Sequence, residues 1–322
     1  MKTSRPLWRT RSRTRRTVAA GTGFAPARRA SLMHPPLQVR KHGTALGKMS
    51  VTDPGEVELH VEAAGTGPPV VLAHGFGGSA RNFRPQARAL RSRYRIVLYD
   101  ARGHARSAAP GDPALYTAEQ LALDVGRILD REHAGPAVVG GLSMGAGTAL
   151  AFALARPERV RALVLAAFPP GAKEGREGKL RQAEWAFAFA DAIEAKGLEV
   201  AGAEFAWGPR SGLDAHTARL VRQGMLEHSP HALVNLLRQV LAQQRSAAEL
   251  APHLRELRIP ALVIVGAQDQ LSRGPSEVLA RSLRGARLVV IPGAGHIVNL
   301  AAPREFNAAL GEFLDRLPPP PP

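Results

Sequence analysis

The chain has 322 residues, 45% of them hydrophobic, enough to bury a sizeable core in one large α/β domain or two small ones. It contains no cysteine, which excludes disulfides, thiolate metal sites and a cysteine nucleophile together, and no apolar run reaches the roughly 18 residues that a membrane span needs. The net charge of +16 points to a nucleic-acid partner until it is located: residues 1–48 carry twelve of the 43 Lys and Arg and no acid, leaving 31 basic against 27 acidic residues, ordinary for a soluble enzyme.

Residues 1–50 have no sustained apolar periodicity and read as a disordered basic arm. Three readings compete for it. An Arg-rich, acid-free composition suits a targeting presequence, and Arg15-Arg16 before Val18-Ala19-Ala20 suits an export signal, although Gly21 and Gly23 break that apolar stretch. A polyanion-binding arm is the second. The preferred reading is a later start, at Met33 or Met49, with a dispensable arm and a cytoplasmic enzyme.

Structure begins with alternating apolar residues over 57–62, the pattern of an edge strand. Gly65 to Pro69 turns the chain into the apolar strand 70–73, which runs into His74-Gly75-Phe76-Gly77-Gly78. A helix with Phe83, Ala87 and Leu90 on one face precedes the strand 95–99, which ends in Asp100-Ala101-Arg102-Gly103-His104-Ala105-Arg106-Ser107. Thr117-Ala118-Glu119-Gln120 reads as a capping box, and the helix behind it has the stripe Leu121, Val125, Ile128 and Leu129. The apolar strand 137–139, a helix ending at Pro157 and the strand 160–168 follow. Strands apolar on both sides that alternate with helices predict a mostly parallel central sheet with helices on both faces.

Residues 169–258 break this rhythm: they carry helical patterns near 180–195, 215–227 and 231–243 but no strand, which predicts a helical insertion. Strand and helix resume at 260–266 and 275–283, then a strand at 287–291 and a final helix at 303–317. The five terminal prolines, 318–322, read as a solvated polyproline tail.

Between the strand at 137 and the helix after it lies Gly141-Leu142-Ser143-Met144-Gly145, the G-x-S-x-G pattern of a nucleophile elbow. A serine on a sharp strand-to-helix turn stands clear of the backbone, and the helix aims its N-terminal amides where negative charge develops. Such a serine needs a base and a group to orient that base. A parallel sheet gathers functional groups at the carboxyl ends of its strands, and those ends carry His74, Asp100, Ser143, Asp269 and His296. The order Ser143, Asp269, His296 is that of an α/β-hydrolase triad.

On these motifs the sequence resembles the α/β-hydrolases of the esterase, lactonase and C–C-hydrolase branch over about 51–317. The matching pieces are His74-Gly75-Phe76-Gly77-Gly78, Asp100-Ala101-Arg102-Gly103, the elbow, Gly266-Ala267-Gln268-Asp269 and Gly293-Ala294-Gly295-His296. One departure is Ala105, where the family usually has the second glycine of D-x-R-G-x-G-x-S, which puts the local backbone geometry in question. The resemblance implies Ser143 as nucleophile, His296 as general base, Asp269 as its orienting carboxylate, and the backbone amides of Phe76 and Met144 as the oxyanion hole. It also implies that His74, Asp100 and Arg102 hold turns. His104, His133, His228, His231 and His253 have no motif context and are expected at the surface.

No spacing suggests a metal, and no cofactor is expected. The expected partner is a small ester or lactone, with no nucleic acid for the core; the oligomeric state is not legible. A serine at 143 sets the chain apart from epoxide hydrolases and haloalkane dehalogenases, which use a carboxylate. His296-Ile297-Val298-Asn299 resembles enol-lactonases more than C–C hydrolases, where tryptophan often follows the histidine. Trp185, Phe187, Phe189, Phe205 and Trp207 could line a pocket under a lid, but aromatics at helical spacing belong more often to a core. C–C bond hydrolysis, acyl transfer and a non-catalytic binding protein on the same fold are the alternatives; such binding proteins often lose a triad member, and none is lost here.

Overall fold

The computed structural model describes residues 55–168 and 176–319. The expected arm, the first residues of the expected insertion and the last three prolines fall outside them. Among the described residues one sheet holds β1 (Val61–Ala64), β2 (Pro69–Ala73), β3 (Arg95–Tyr99), β4 (Ala137–Leu142), β5 (Val160–Ala166), β6 (Ala261–Gly266) and β7 (Arg287–Ile291). Its order is β1-β3-β2-β4-β5-β6-β7, with β1 antiparallel to β3 and every other pair parallel.

The double-sided apolar strands explain the layers. Side chains alternate across a strand, so Val71, Val97, Val139, Leu163 and Val263 enter one core while Val70, Ile96, Val138, Val164 and Leu262 enter the other. Helices α1 (Arg84–Leu90), α2 (Ala118–Arg131) and α3 (Met144–Ala155) divide between the faces: α2 and α3 pack on the first and α1 on the second. The insertion carries α4 (Arg176–Lys196), α5 (Leu198–Phe205), α6 (Ala215–Met225), α7 (Pro230–Leu236) and α8 (Ala247–Leu254). After it, α9 (Arg273–Ser282) joins the first face; α10 (Val298–Ala301) and α11 (Pro303–Asp315) join the second.

Three local expectations need correcting. The first strand starts at Val61 because residues 58–60 bond instead to the loop after β3: Ala108 N–H donates to Glu58 O, and His60 N–H to Ser107 Oγ. At α2 only half of the capping box forms. Thr117 Oγ1 accepts from Gln120 N–H, but the Gln120 carboxamide oxygen is buried without a partner. In the insertion the structure adds the helices α5 and α8 to the three that the periodicity predicts. Ser246-Ala247-Ala248-Glu249 is a complete capping box for α8, but Pro252 inside that helix masked the signal.

Arg102 shows what the Asp100–Ser107 turn is built on. Its guanidinium is wholly buried and forks Asp124 of α2 through two 2.7 Å bonds, with Gly55 O and Leu115 O accepting from the remaining edge. Asp100, equally buried, accepts from Ala80 N–H at 2.7 Å and from Arg106 Nε at 3.0 Å. Both residues hold turns, as the resemblance implies. Ala105 sits at φ 44°, in the left-handed region where the family's glycine is at ease, so the departure has its cost in backbone strain.

Candidate active site

Ser143 follows β4 at φ 54° and ψ −116°, a conformation that L residues rarely take, and it opens α3. Its amide donates to Ala166 O of β5 at 2.9 Å. The elbow's second glycine is required by close approach: a Cβ at Gly145 would lie 2.1 Å from Ala73 O and 2.6 Å from His74 O, both on the loop side of β2. The same contact brings the His74–Gly78 loop to the serine, and a Cβ at Gly75 would stand 3.5 Å from Ser143 Cβ. Phe76 follows Gly75 in the loop after β2, and Met144 follows Ser143 in the first turn of α3.

Asp269 and His296 come from the loops after β6 and β7. These loops abut at Gly266, where a Cβ would fall 2.2 Å from Ala294 O, and Gln268 N–H donates to the same carbonyl at 2.9 Å. Across that junction His296 Nδ1 lies 2.7 Å from Asp269 Oδ2, and His296 Nε2 lies 3.0 Å from Ser143 Oγ. Burial alone would raise the Asp269 carboxyl, but hydrogen bonds from His296 and Ser272 outweigh it and hold the group below its ordinary value. Ser272 was missed in the sequence. Its amide donates to Asp269 Oδ1 at 3.0 Å and its hydroxyl lies 3.1 Å from His296 Nδ1. A hydroxyl three residues after an aspartate, at a helix start, was the available signal.

His74 lies beneath this site with both nitrogens engaged. Nδ1 donates to Gly75 O at 2.8 Å and Nε2 accepts from Ala101 N–H at 2.9 Å, so it holds the loop and is occupied as a base. His133, His231 and His253 are exposed, as expected. His104 and His228 are not: both are buried, stacked edge-to-face behind Gly77. The expectation of a surface position fails because backbone groups meet the rings inside the fold: His104 engages both nitrogens on Gly77 N–H and Arg102 O, and His228 Nδ1 accepts from Ala105 N–H while its Nε2 is buried without a partner, pairings that no spacing in a sequence records.

The insertion aromatics divide. Phe189 is fully buried, stacked on Phe205 with ring centroids 5.1 Å apart and set edge-on to Phe76 at 6.1 Å. Trp185 packs at 5.7 Å on Phe189 while partly exposed, Phe187 faces solvent, and Trp207 rests on Gly202 of α5. Among the described residues no group of His, Cys, Asp and Glu could hold a metal, and no helix is long and apolar enough to cross a membrane.

The family model of the alpha/beta hydrolase fold matches residues 68–303. The chain belongs to that family. Among relatives, this hydrolase is 31% identical to a Bacillus subtilis protein provisionally named 2-succinyl-6-hydroxy-2,4-cyclohexadiene-1-carboxylate synthase, over 76% of this chain and 89% of that one. It is 28% identical to 3-oxoadipate enol-lactonase 2 of Acinetobacter baylyi, over 77% and 89%. Among solved structures, an esterase of Thermogutta terrifontis superposes on the hydrolase with a TM-score of 0.71 at 28% identity, covering 83% of this chain and 96% of that one.

Proposed function

We propose that the protein is a serine hydrolase that cleaves a carboxylic ester or lactone through an acyl-enzyme. The observation that carries this reading is the continuous hydrogen-bonded chain Ser143–His296–Asp269, ended by a serine held at φ 54°. In the reaction Ser143 Oγ attacks the carbonyl carbon as His296 Nε2 takes the hydroxyl proton. The negative oxygen then accepts from the amides of Phe76 and Met144, at the N-terminus of α3. Collapse breaks the acyl–oxygen bond and the leaving oxygen takes the proton from His296. Water repeats the sequence on the acyl-serine, with His296 again as base, and releases the acid and Ser143. Asp269 fixes the tautomer that leaves Nε2 free to accept and stabilises the imidazolium between the two steps.

Helices α4 to α8 serve as a lid in this reading. Support comes from their contacts with the groups around the serine: Phe189 with Phe76, and Met225 with Gly77. The enol-lactonase relative favours a lactone or small ester as substrate class.

A fluorophosphonate probe tests the assignment. It should label the native chain at Ser143, and Ser143→Ala should abolish labelling and lower turnover of p-nitrophenyl acetate by on the order of a thousandfold or more. Near-native hydrolysis by that variant would overturn the reading.

A further inference from the structure

Three imidazoles form a buried column behind the loop that carries Phe76. His74 and His104 have ring centroids 4.8 Å apart, His104 and His228 5.0 Å, each pair edge-to-face. They come from three separate segments: the end of β2, the loop after β3, and the turn between α6 and α7 of the insertion. Each accepts a backbone amide. Ala101 N–H donates to His74 Nε2 at 2.9 Å, Gly77 N–H to His104 Nε2 at 3.1 Å, and Ala105 N–H to His228 Nδ1 at 2.8 Å. The opposite nitrogens of the first two donate to the carbonyls of Gly75 and Arg102. Gly75 O and Gly77 N–H are thus both tied down, on either side of Phe76.

The insertion adds its own hold. His228 reaches the amide of Ala105, next to His104 in sequence, through Nδ1, and its Nε2 is buried without a hydrogen-bond partner. Met225 packs its terminal methyl where a Cβ of Gly77 would be, 2.3 Å away. Arg81, just past the loop, pairs with Glu227 beside His228.

We propose that His104 and His228 are positioning residues that hold the Phe76 amide where it meets the developing oxyanion, so that docking of the helical insertion completes the active site. The inference rests on the assignment of that amide under the proposed function. A loop of three glycines around one phenylalanine has little stiffness of its own, and a displacement of about 1 Å at such a donor costs on the order of a hundredfold in rate. Burial pushes His74 down to about 4 and keeps His104 and His228 below their ordinary values, so all three accept as neutral rings at pH 7. The charged groups acting on the column are Asp100 and Glu227, which favour protonation, and Arg81, which opposes it.

The test compares two pairs of variants in the full chain. His228→Asn and His104→Gln keep an acceptor where Nδ1 and Nε2 stand; His228→Leu and His104→Leu remove it. Three readouts are taken: kcat and KM on p-nitrophenyl acetate, hydrogen exchange of the peptide spanning 74–78, and melting temperature. The leucine variants should lose roughly tenfold to a hundredfold in kcat with KM within about threefold, and should exchange faster at 74–78. The amide-bearing variants should recover most of the rate. Wild-type kcat and exchange in folded His228→Leu, or equal losses for Asn and Leu, would overturn the proposal. If the native chain takes no fluorophosphonate at Ser143, the functional reading fails, and exchange at 74–78 alone then decides whether the histidines hold the loop.

Discussion

Asp269→Asn tests the site at its most sensitive bond. The two carboxylate oxygens have different partners: Oδ1 accepts from Ser272 N–H at 3.0 Å, and Oδ2 faces His296 Nδ1 at 2.7 Å. An asparagine here must keep its oxygen toward the Ser272 amide, so its NH2 group points at His296. Nδ1 then becomes an acceptor and the ring proton moves to Nε2, the atom that accepts the Ser143 proton in the proposed reaction. The substitution inverts the tautomer and also removes the charge opposite the imidazolium. Unit charges about 4 Å apart attract by about 4 kcal/mol at an effective dielectric constant of about 20. The His296 side chain is 37% exposed, so screening by water brings this to about 3 kcal/mol, or roughly a hundredfold in rate. With the tautomer cost added, kcat should fall between about a hundredfold and ten-thousandfold, with KM within about threefold. Initial rates on p-nitrophenyl acetate and the rate of fluorophosphonate labelling measure it. A loss of less than tenfold, with labelling at the native rate, would refute the assignment of Asp269.

Asp124→Asn leaves the buried Arg102 guanidinium without its counter-charge, and stability should drop by about 3–5 kcal/mol, on the order of 10 °C in melting temperature. An unchanged melting temperature would mean that Gly55 O and Leu115 O suffice for Arg102. Gly145→Ala drives a methyl into Ala73 O, so labelling of Ser143 should slow by more than about tenfold; native labelling would show that the elbow tolerates a wider turn. The buried histidines predict an acid-sensitive fold. Their folded values lie below the ordinary 6.5, so the unfolded chain takes up protons first, and stability is full above about 6.5 and falls as the pH drops toward about 4. Glu62, pushed down to about 2 by its hydrogen bonds with Arg84 and Arg106, loses its contribution only at lower pH. Urea midpoints at pH 7.5, 6 and 5 check the sign, and a flat series would refute neutral burial of the column.

Features that depend on local pattern are readable along the chain. Val70 to Ala73, Ile96 to Tyr99 and Ala261 to Val265 announce buried parallel strands because no face of theirs can meet water, and the elbow announces itself by the small residues a sharp turn requires. Ser143, Asp269 and His296 group together in the sequence for a related reason: each lies just past the carboxyl end of a strand, and those ends converge. The long-range pairing of polar groups follows from tertiary contacts alone. His104 and His228 lie 124 positions apart and carry no spacing rule, yet they share one buried column because the fold folds α6 and α7 back over the loop after β2. The Gly266 contact that sets Asp269 against His296, and the divided fate of Trp185, Phe187 and Phe189, likewise follow from which surfaces meet. Burial is a property of those surfaces, and a one-dimensional pattern fixes only the side of its own element that a residue occupies.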